Sequence, residues 1–491
     1  MAKQKSLKKK AASGMVWTTI QKFSKTGIQF VSGIILARLL TPFDYGCIGM
    51  LAIFMSLSET FIDGGFGSAL IQKKKPTQVD YSTIFYWNIV LSIVMYVILF
   101  FSAPAISRFY NIPILCDVLR VQGLILIIHA LNNIQRNQLR KQLKFKIISV
   151  TRITTSIICL TITIIMAYMG YGVWALVAQY LLGSAIPTIV YWIYTKWRPS
   201  WTFSLKSFHE LFGFGFYMLL TNLINTFSTK MQGLLIGAYY NPSILGYFSK
   251  AQGTEATVSS TISGIMTSVT YPLYAEVQDD MLRMHNMIKH LTSTIAYLTF
   301  PFMTIMILVA KPAFIFLYSN RWIQCVPYFQ ILCLTGMGIC LSSVNNQSIA
   351  AVGKSKVMFT WTIIKRSVSI IIMFFSLFIF GIYGLLWGLV FTTWFAYFVN
   401  IGLVSRYVGY KWNKQLSDII PLLMIVSIIG CLSYYMVGVL DLNMYADGAL
   451  KLFIFIILYL IWSLFFKPES YTYTMGIIKP MFVKFFEKLK K

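Results

Sequence analysis

Charge is scarce in this 491-residue sequence, and acidic charge is scarcer still. Only 12% of the residues are charged and 15 are Asp or Glu, against roughly 25% charged in soluble domains. So little polar surface excludes an ordinary soluble fold. No Pro/Gly/Ser-rich linker and no polar block large enough for a soluble domain interrupts the chain. The four histidines (His129, His209, His285, His290) show no ligand spacing, and the seven cysteines (Cys47, Cys116, Cys159, Cys325, Cys333, Cys340, Cys431) contain no CxxC pair. The cysteines therefore read as small lipophilic filler, with no metal and no disulfide framework expected. A glycine-rich phosphate loop, HExxH and GxSxG are all missing. The chain reads as no enzyme and needs no cofactor. Any work it does would draw on a Na+ or H+ gradient, the membrane potential or a solute gradient.

What is present is apolar length. Hydrophobic residues make up 57% of the chain, and runs such as 84–103, 153–169, 357–380 and 450–466 approach the roughly 20 residues that span a bilayer as a helix. Fourteen such helices can be counted, starting near residues 14, 44, 82, 114, 148, 172, 209, 243, 288, 313, 357, 382, 416 and 447. The lysine-rich segment 1–13 precedes an apolar stretch too long for a signal peptide, so the first span is expected to be retained. With both termini inside, Lys73-Lys74-Lys75, 136–146, 196–206, Lys354/Lys356 and 406–414 all fall in inner loops. Only Arg108, Lys311 and Arg321 fall outside, as the positive-inside rule requires. The net charge of +27 is thus topological and does not point to nucleic acid. The tail, 468–491, reads either as a basic amphipathic helix on the inner leaflet or as a frayed end.

The two halves echo each other. Gly33 matches Gly233, and Pro42 with Gly46 matches Pro242 with Gly246, the same Pro-x-x-x-Gly turn after spans one and seven. Tyr171-Gly172 likewise matches Tyr383-Gly384, and Lys144-x-Lys146 matches Lys354-x-Lys356. Six-span repeats have equal orientation, so their symmetry axis lies along the membrane normal. The expected lobes are 14–206 and 207–410, followed by two additional spans in 411–467. A cavity between the repeats and rocking of one against the other follow as expectations.

Charge inside a span is expensive and should face an interior cavity. Lys22, Lys25, Gln29 and Ser32 share one face of span one, and Asn222, Asn225, Thr229 and Gln232 share the matching face of span seven, with Lys230 beside it. Other intramembrane charges are Arg38, Arg120, Arg152, Lys250, Lys365 and Arg366, against Glu59, Asp63 and Glu255. The cations outnumber the anions, so the expected cavity is electropositive and suited to an anion such as a lipid pyrophosphate. Lys22, Lys25, Lys230, Lys250, Arg38, Arg152 and Arg366 are the candidate substrate-binding cations, Lys25 foremost. Arg38, Arg152 and Lys365/Arg366 read equally well as anchors near helix ends. Glu59 and Asp63 read either as ion-pair partners of Lys22 or Lys25 or as coupling-ion carboxylates. Lys451 is expected to snorkel.

The segment 61–73 (FIDGGFGSALIQK) followed by 80–88 (DYSTIFYWN) resembles the polysaccharide transporter family, the O-antigen, colanic-acid and teichuronic-acid flippases of the multidrug/oligosaccharidyl-lipid/polysaccharide exporter superfamily. The 37–46 turn (ARLLTPFDYG) and 271–280 (YPLYAEVQDD) resemble it too, and the likeness runs from about residue 10 to 410, thinning beyond. The resemblance implies an all-α polytopic V-shaped fold in the bacterial inner membrane. It also implies flipping of an undecaprenyl-pyrophosphate-linked oligosaccharide through a central cationic cavity, with membrane lipids and the pathway's polymerase and assembly proteins as partners. A drug exporter of the same superfamily is the alternative, although it would want an acidic cavity. A membrane polymerase or glycosyltransferase would need a larger extramembrane segment than any found here.

Overall fold

Every regular element among the described residues of this computed structural model is helical. Residues 2–277, 280–473 and 475–476 are described, so most of the tail expected over 468–491, from 477 onward, lies outside them. The chain divides into two compact units, Met1–Ser249 and Lys250–Lys491. Ten helices among the described residues are long and apolar enough to cross a membrane. The chain is a multi-pass membrane protein.

The first unit contains α1 (Ala2–Leu39), α2 (Pro42–Asp63), the short α3 (Phe66–Gln72), α4 (Gln78–Tyr110), α5 (Ile114–Lys141), α6 (Phe145–Tyr168), α7 (Val173–Thr195), α8 (Leu205–Tyr239) and the start of α9 (Pro242–Glu276). Two of these begin with capping boxes: Thr41 with Asp44 before α2, and Thr77 with Asp80 before α4. Each box satisfies backbone N–H groups that a helix start leaves unpaired.

Between the helices the unit is tied by directed polar contacts. Ser149 of α6 donates to the Trp17 carbonyl (3.0 Å) and to Gln21 Oε1 (3.1 Å) of α1. The Asn132 amide of α5 donates to Thr188 of α7 at 2.8 Å. Lys73 bonds both Asp80 (3.1 Å) and Glu210 (3.0 Å), linking the ends of α3, α4 and α8. Lys141, the last residue of α5, donates its ammonium to the carbonyls of Leu70 (2.9 Å), Ile71 (3.4 Å) and Lys73, closing the C-terminal end of α3.

The paired Pro-x-x-x-Gly turns meet. A Cβ on Gly46 would stand 1.8 Å from the Pro242 carbonyl oxygen, and a Cβ on Gly246 would stand 1.9 Å from that of Pro42. The starts of α2 and α9 therefore cross backbone on backbone, each glycine receiving the other's proline carbonyl. This packing explains why the compact division falls at 249/250 while the sequence repeat turns over near 206/207. α8 and the first turns of α9 lie against α2, and Thr60 and Thr226 meet across that seam at 3.1 Å.

The second unit continues α9 and adds α10 (Met281–Leu308), α11 (Ala310–Tyr318), a 3-10 turn (Asn320–Trp322), α12 (Cys325–Ala351), α13 (Ser355–Val408), α14 (Trp412–Gly438) and α15 (Met444–Phe466). The helix expected to start near 313 starts at Cys325. Ser319 turns left-handed (φ 83) and stops α11, and the wholly buried Trp322 fills the connection. At about 1.5 Å per residue, α13 would run some 80 Å if straight, over twice the ~30 Å hydrocarbon core. It breaks at Gly381 (φ 66, ψ −153), where the sequence expects one span to end and the next to begin.

Lys451 reaches back toward the first turn of α15. It is buried beneath the Tyr434 ring (4.4 Å) and paired with Asp447 at 2.7 Å. The chain after α15 folds back on α10, where Glu469 bonds Lys289 (2.6 Å) and His290 stacks on Tyr473 (4.7 Å between centroids).

Candidate functional site in the first unit

Three helices of the first unit turn polar stripes toward one another. α2 contributes Ser56, Glu59, Thr60 and Asp63, at i, i+3, i+4 and i+7. α5 contributes His129, Asn133 and Arg136, at i, i+4 and i+7. α8 contributes Asn222, Asn225, Thr226, Thr229 and Lys230. These spacings place each set on a single helical face. Together with Ile62 they enclose a cavity of about 400 Å³, inside the roughly 300–1,000 Å³ range of small-ligand sites.

Charge in the lining is balanced: two carboxylates, Glu59 and Asp63, face Arg136 and Lys230. Lys230 and Arg136 are the cations whose fields reach Glu59. Asp63 accepts a hydrogen bond from the Asn133 amide at 3.0 Å, and Asn133 in turn accepts from Asn137 at 3.0 Å. Thr229 donates its hydroxyl to the Asn225 backbone carbonyl of its own helix at 2.9 Å, and Asn222 and Asn225 bring amide side chains to the lining. The Arg136 Nε finds no hydrogen-bond partner. The site can thus both donate and accept along its whole wall.

The structure brings together six of the residues singled out in the sequence: Glu59, Asp63, Asn222, Asn225, Thr229 and Lys230. Lys22, Lys25, Gln29, Arg38, Arg152 and Gln232 are not in the lining. Lys22, Lys25, Gln29 and Arg38 are exposed, and Arg152 and Gln232 are half-buried. Among the described residues no ion pair joins Glu59 or Asp63 to Lys22 or Lys25. Lys25 and Arg152 instead lie close enough for their charges to repel. Arg136, read from the sequence as part of an inner loop, belongs to α5 and reaches the cavity. His129 and Asn133 were also missed, and their spacing with Arg136 was the available signal.

The remaining candidates lie in the second unit. Lys250 is buried over the rings of Tyr318 (4.0 Å) and Trp322 (5.7 Å). Glu255 is buried against Gly336, with one carboxylate oxygen lacking a hydrogen-bond partner. Lys365 donates to Asn400 at 2.7 Å beside the half-buried Arg366.

Comparison with known proteins places this arrangement. Residues 35–327 match the family model described as "Polysaccharide biosynthesis protein". The teichuronic acid biosynthesis protein TuaB of Bacillus subtilis is 25% identical over 72% of this chain and 74% of its own length. The lipopolysaccharide biosynthesis protein WzxC of Escherichia coli is 24% identical over 70% and 69%. The succinoglycan biosynthesis transport protein ExoT of Rhizobium meliloti is 22% identical over 71% of each. Among solved structures, the lipid II flippase MurJ in an inward closed conformation superposes with a TM-score of 0.71 at 16% identity, covering 92% of this chain and 99% of its own. An inward-facing multidrug-resistance MATE transporter of the MOP superfamily reaches 0.61 at 14% identity, covering 81% and 98%. These two share the fold. The chain belongs to the polysaccharide biosynthesis protein family.

Proposed function

We propose that this chain flips a polyprenyl-pyrophosphate-linked oligosaccharide across the bacterial inner membrane, with both termini cytoplasmic. The observation that carries the reading is the polar cavity built from α2, α5 and α8 within a membrane protein. Polar and ionisable groups at membrane depth cost several kcal/mol unless they serve a pathway or pair with one another. Three helices spending a full stripe each on such groups supports passage of a polar head while the lipid tail stays in hydrocarbon. The printed roles of TuaB, WzxC and ExoT in polysaccharide biosynthesis support the same cargo class.

In this reading the protein makes and breaks no covalent bond. Its task is to replace the water around sugar and pyrophosphate with fixed donors and acceptors, then to expose the site on the other side by alternating access. The driving force is an ion gradient or the membrane potential, with Glu59, Asp63 and Glu255 as the candidate coupling carboxylates. Lys25 and Arg152 offer uncompensated positive charge for the pyrophosphate.

The test is flipping itself, using purified protein in liposomes holding fluorescent polyprenyl-pyrophosphate oligosaccharide. Label should become accessible from the opposite face only with the protein, more slowly with Lys25→Glu, and with partial retention in Lys25→Arg. No movement with or without an imposed ion gradient or potential would defeat the proposal.

A further inference from the structure

The connector from α7 to α8, residues 196–204, has no regular secondary structure, yet its polar groups are spent on the start of α4. The Trp197 indole donates to Gln78 Oε1 at 2.6 Å, and the Gln78 amide donates to the Arg198 carbonyl at 2.7 Å. Further on, the Ser200 N–H donates to the buried Ser82 hydroxyl at 3.0 Å, and the Ser204 N–H to the buried Thr83 hydroxyl at 3.1 Å. The Arg198 guanidinium turns back on the carbonyls of Trp192 (3.2 Å) and Trp197 (2.9 Å). A connector whose backbone groups are met in this way is a fixed strap.

What the strap presents is apolar and basic at once. Trp201 leaves 94% of its surface exposed while its ring stacks on Tyr86 of α4, 5.8 Å between centroids. Phe203 and Leu205 follow it and are exposed too. Lys196, Arg198 and Lys206 are exposed as well, and residues 196–206 contain no acidic side chain. Among the described residues none of these three cations pairs with a carboxylate. Glu210, one turn beyond Lys206, is taken by Lys73.

The depth of this patch follows from α4. At about 1.5 Å per residue its 33 residues run about 50 Å, against a hydrocarbon core of about 30 Å. Its exposed apolar side chains begin at Val90 and end at Phe109, a stretch of about 28 Å on the same rise. Tyr86 lies one turn before that stretch, toward Lys73-Lys74-Lys75, so Trp201 stands where hydrocarbon gives way to headgroups. Aromatic rings favour that level, and acidic phospholipids draw basic groups to it. The patch continues the apolar surface of Val90, Ile93 and Val97, which a leaflet already covers, so it needs no second chain to shield it.

We propose that residues 196–206 form a docking site for the headgroup of an acidic phospholipid, with Trp201 and Phe203 lodged at the hydrocarbon boundary and Lys196, Arg198 and Lys206 supplying the charge. The phosphate oxygens would accept charge-assisted hydrogen bonds from these side chains. The site uses no residue of the α2, α5 and α8 cavity, so it stands whatever the cargo is.

The test places a photoreactive benzoylphenylalanine at position 201 of the full-length protein, in nanodiscs of equal phosphatidylglycerol and phosphatidylcholine. The exposed side chain there makes the exchange mild. After irradiation, mass spectrometry reads which lipid is attached. Adducts should carry phosphatidylglycerol in about fivefold excess, the scale of one basic residue beside an acidic surface. Lys196→Gln with Lys206→Gln should bring the two lipids toward equal yield, and Lys196→Arg with Lys206→Arg should keep the excess. Both lysines are exposed, so loss of fold does not stand in for loss of charge. Equal yields with both lysines in place would overturn the assignment, as would an excess that survives in the glutamine variant. Adducts to protein and none to lipid would overturn the docking altogether and make the strap a contact for another chain.

Discussion

Asn133 donates its side-chain amide to Asp63 at 3.0 Å, across the gap between α5 and α2. That bond fixes the carboxylate at the very end of α2, where the helix stops at Gly64. It also hands the Asn133 oxygen to Asn137, so the orientation of the cavity carboxylate is set from one turn further along α5. Asn133→Ala would free Asp63 to rotate. The expected result is a loss of about tenfold in flipping rate, on the scale of one charge-assisted hydrogen bond, with normal amounts of protein in the membrane. Initial rates in the liposome assay measure it, and a wild-type rate would contradict it.

The crossing of Gly46 and Pro242 predicts opposite signs for two similar changes. In Gly46→Ala the new methyl would meet the Pro242 carbonyl, backbone that cannot rotate away, so a cost of about 3 kcal/mol is expected. In Gly253→Ala no atom lies within 4 Å of the new carbon, and the helix should gain up to about 1 kcal/mol. Thermal unfolding in detergent would show the first melting below wild type and the second at or above it.

Lys141→Met keeps the length of the side chain and removes its three hydrogen bonds to the end of α3. The carbonyls of Leu70, Ile71 and Lys73 would then rely on water, at a cost of about 1–2 kcal/mol. Hydrogen exchange should rise locally over 70–77 and stay unchanged in α14 and α15.

The C-terminal fold-back should loosen in acid. The hydrogen bond from Lys289 holds the Glu469 carboxyl below its ordinary value, which is about 4.3 in an unfolded chain. A lowered folded value means the contact contributes fully above the unfolded value and is lost as pH falls through the folded one. Exchange over 467–473 should therefore climb as pH drops below about 4. In Glu469→Gln it should be raised already at neutral pH and vary little with acid.

Half of this cavity was legible in the sequence. The faces of α2 and α8 could be read because Glu59/Asp63 and Asn222/Asn225/Thr229 repeat at helical spacing inside otherwise apolar spans. α5 hid its share. Arg136 stands near Arg140 and Lys141, and a basic cluster at the edge of an apolar run reads as a topological anchor. Only the structure shows that the helix continues to Lys141, whose charge is used to close α3. Lys25 stands apart from this lining. Its face matches that of α8 by sequence repeat, while α1 packs on α6 through Ser149. The start near 313 falls in the short α11, which Ser319 ends before the polar Asn320-Arg321 turn, and the long helix begins only at Cys325.

α2 touches its neighbours backbone to backbone at both ends. Gly46 meets Pro242, and just beyond the helix a Cβ on Gly65 would stand 2.5 Å from the Gly215 carbonyl. The cavity lies between these two points. Main chain therefore holds α2 against the start of α9 at one end and against α8 at the other, while the chemistry is set by side chains in the middle. Exchanging Glu59, Asn222 or Thr229 for other residues alters what the wall recognises and leaves its width alone. A chain built this way can acquire a new cargo through a few substitutions, with the frame inherited unchanged.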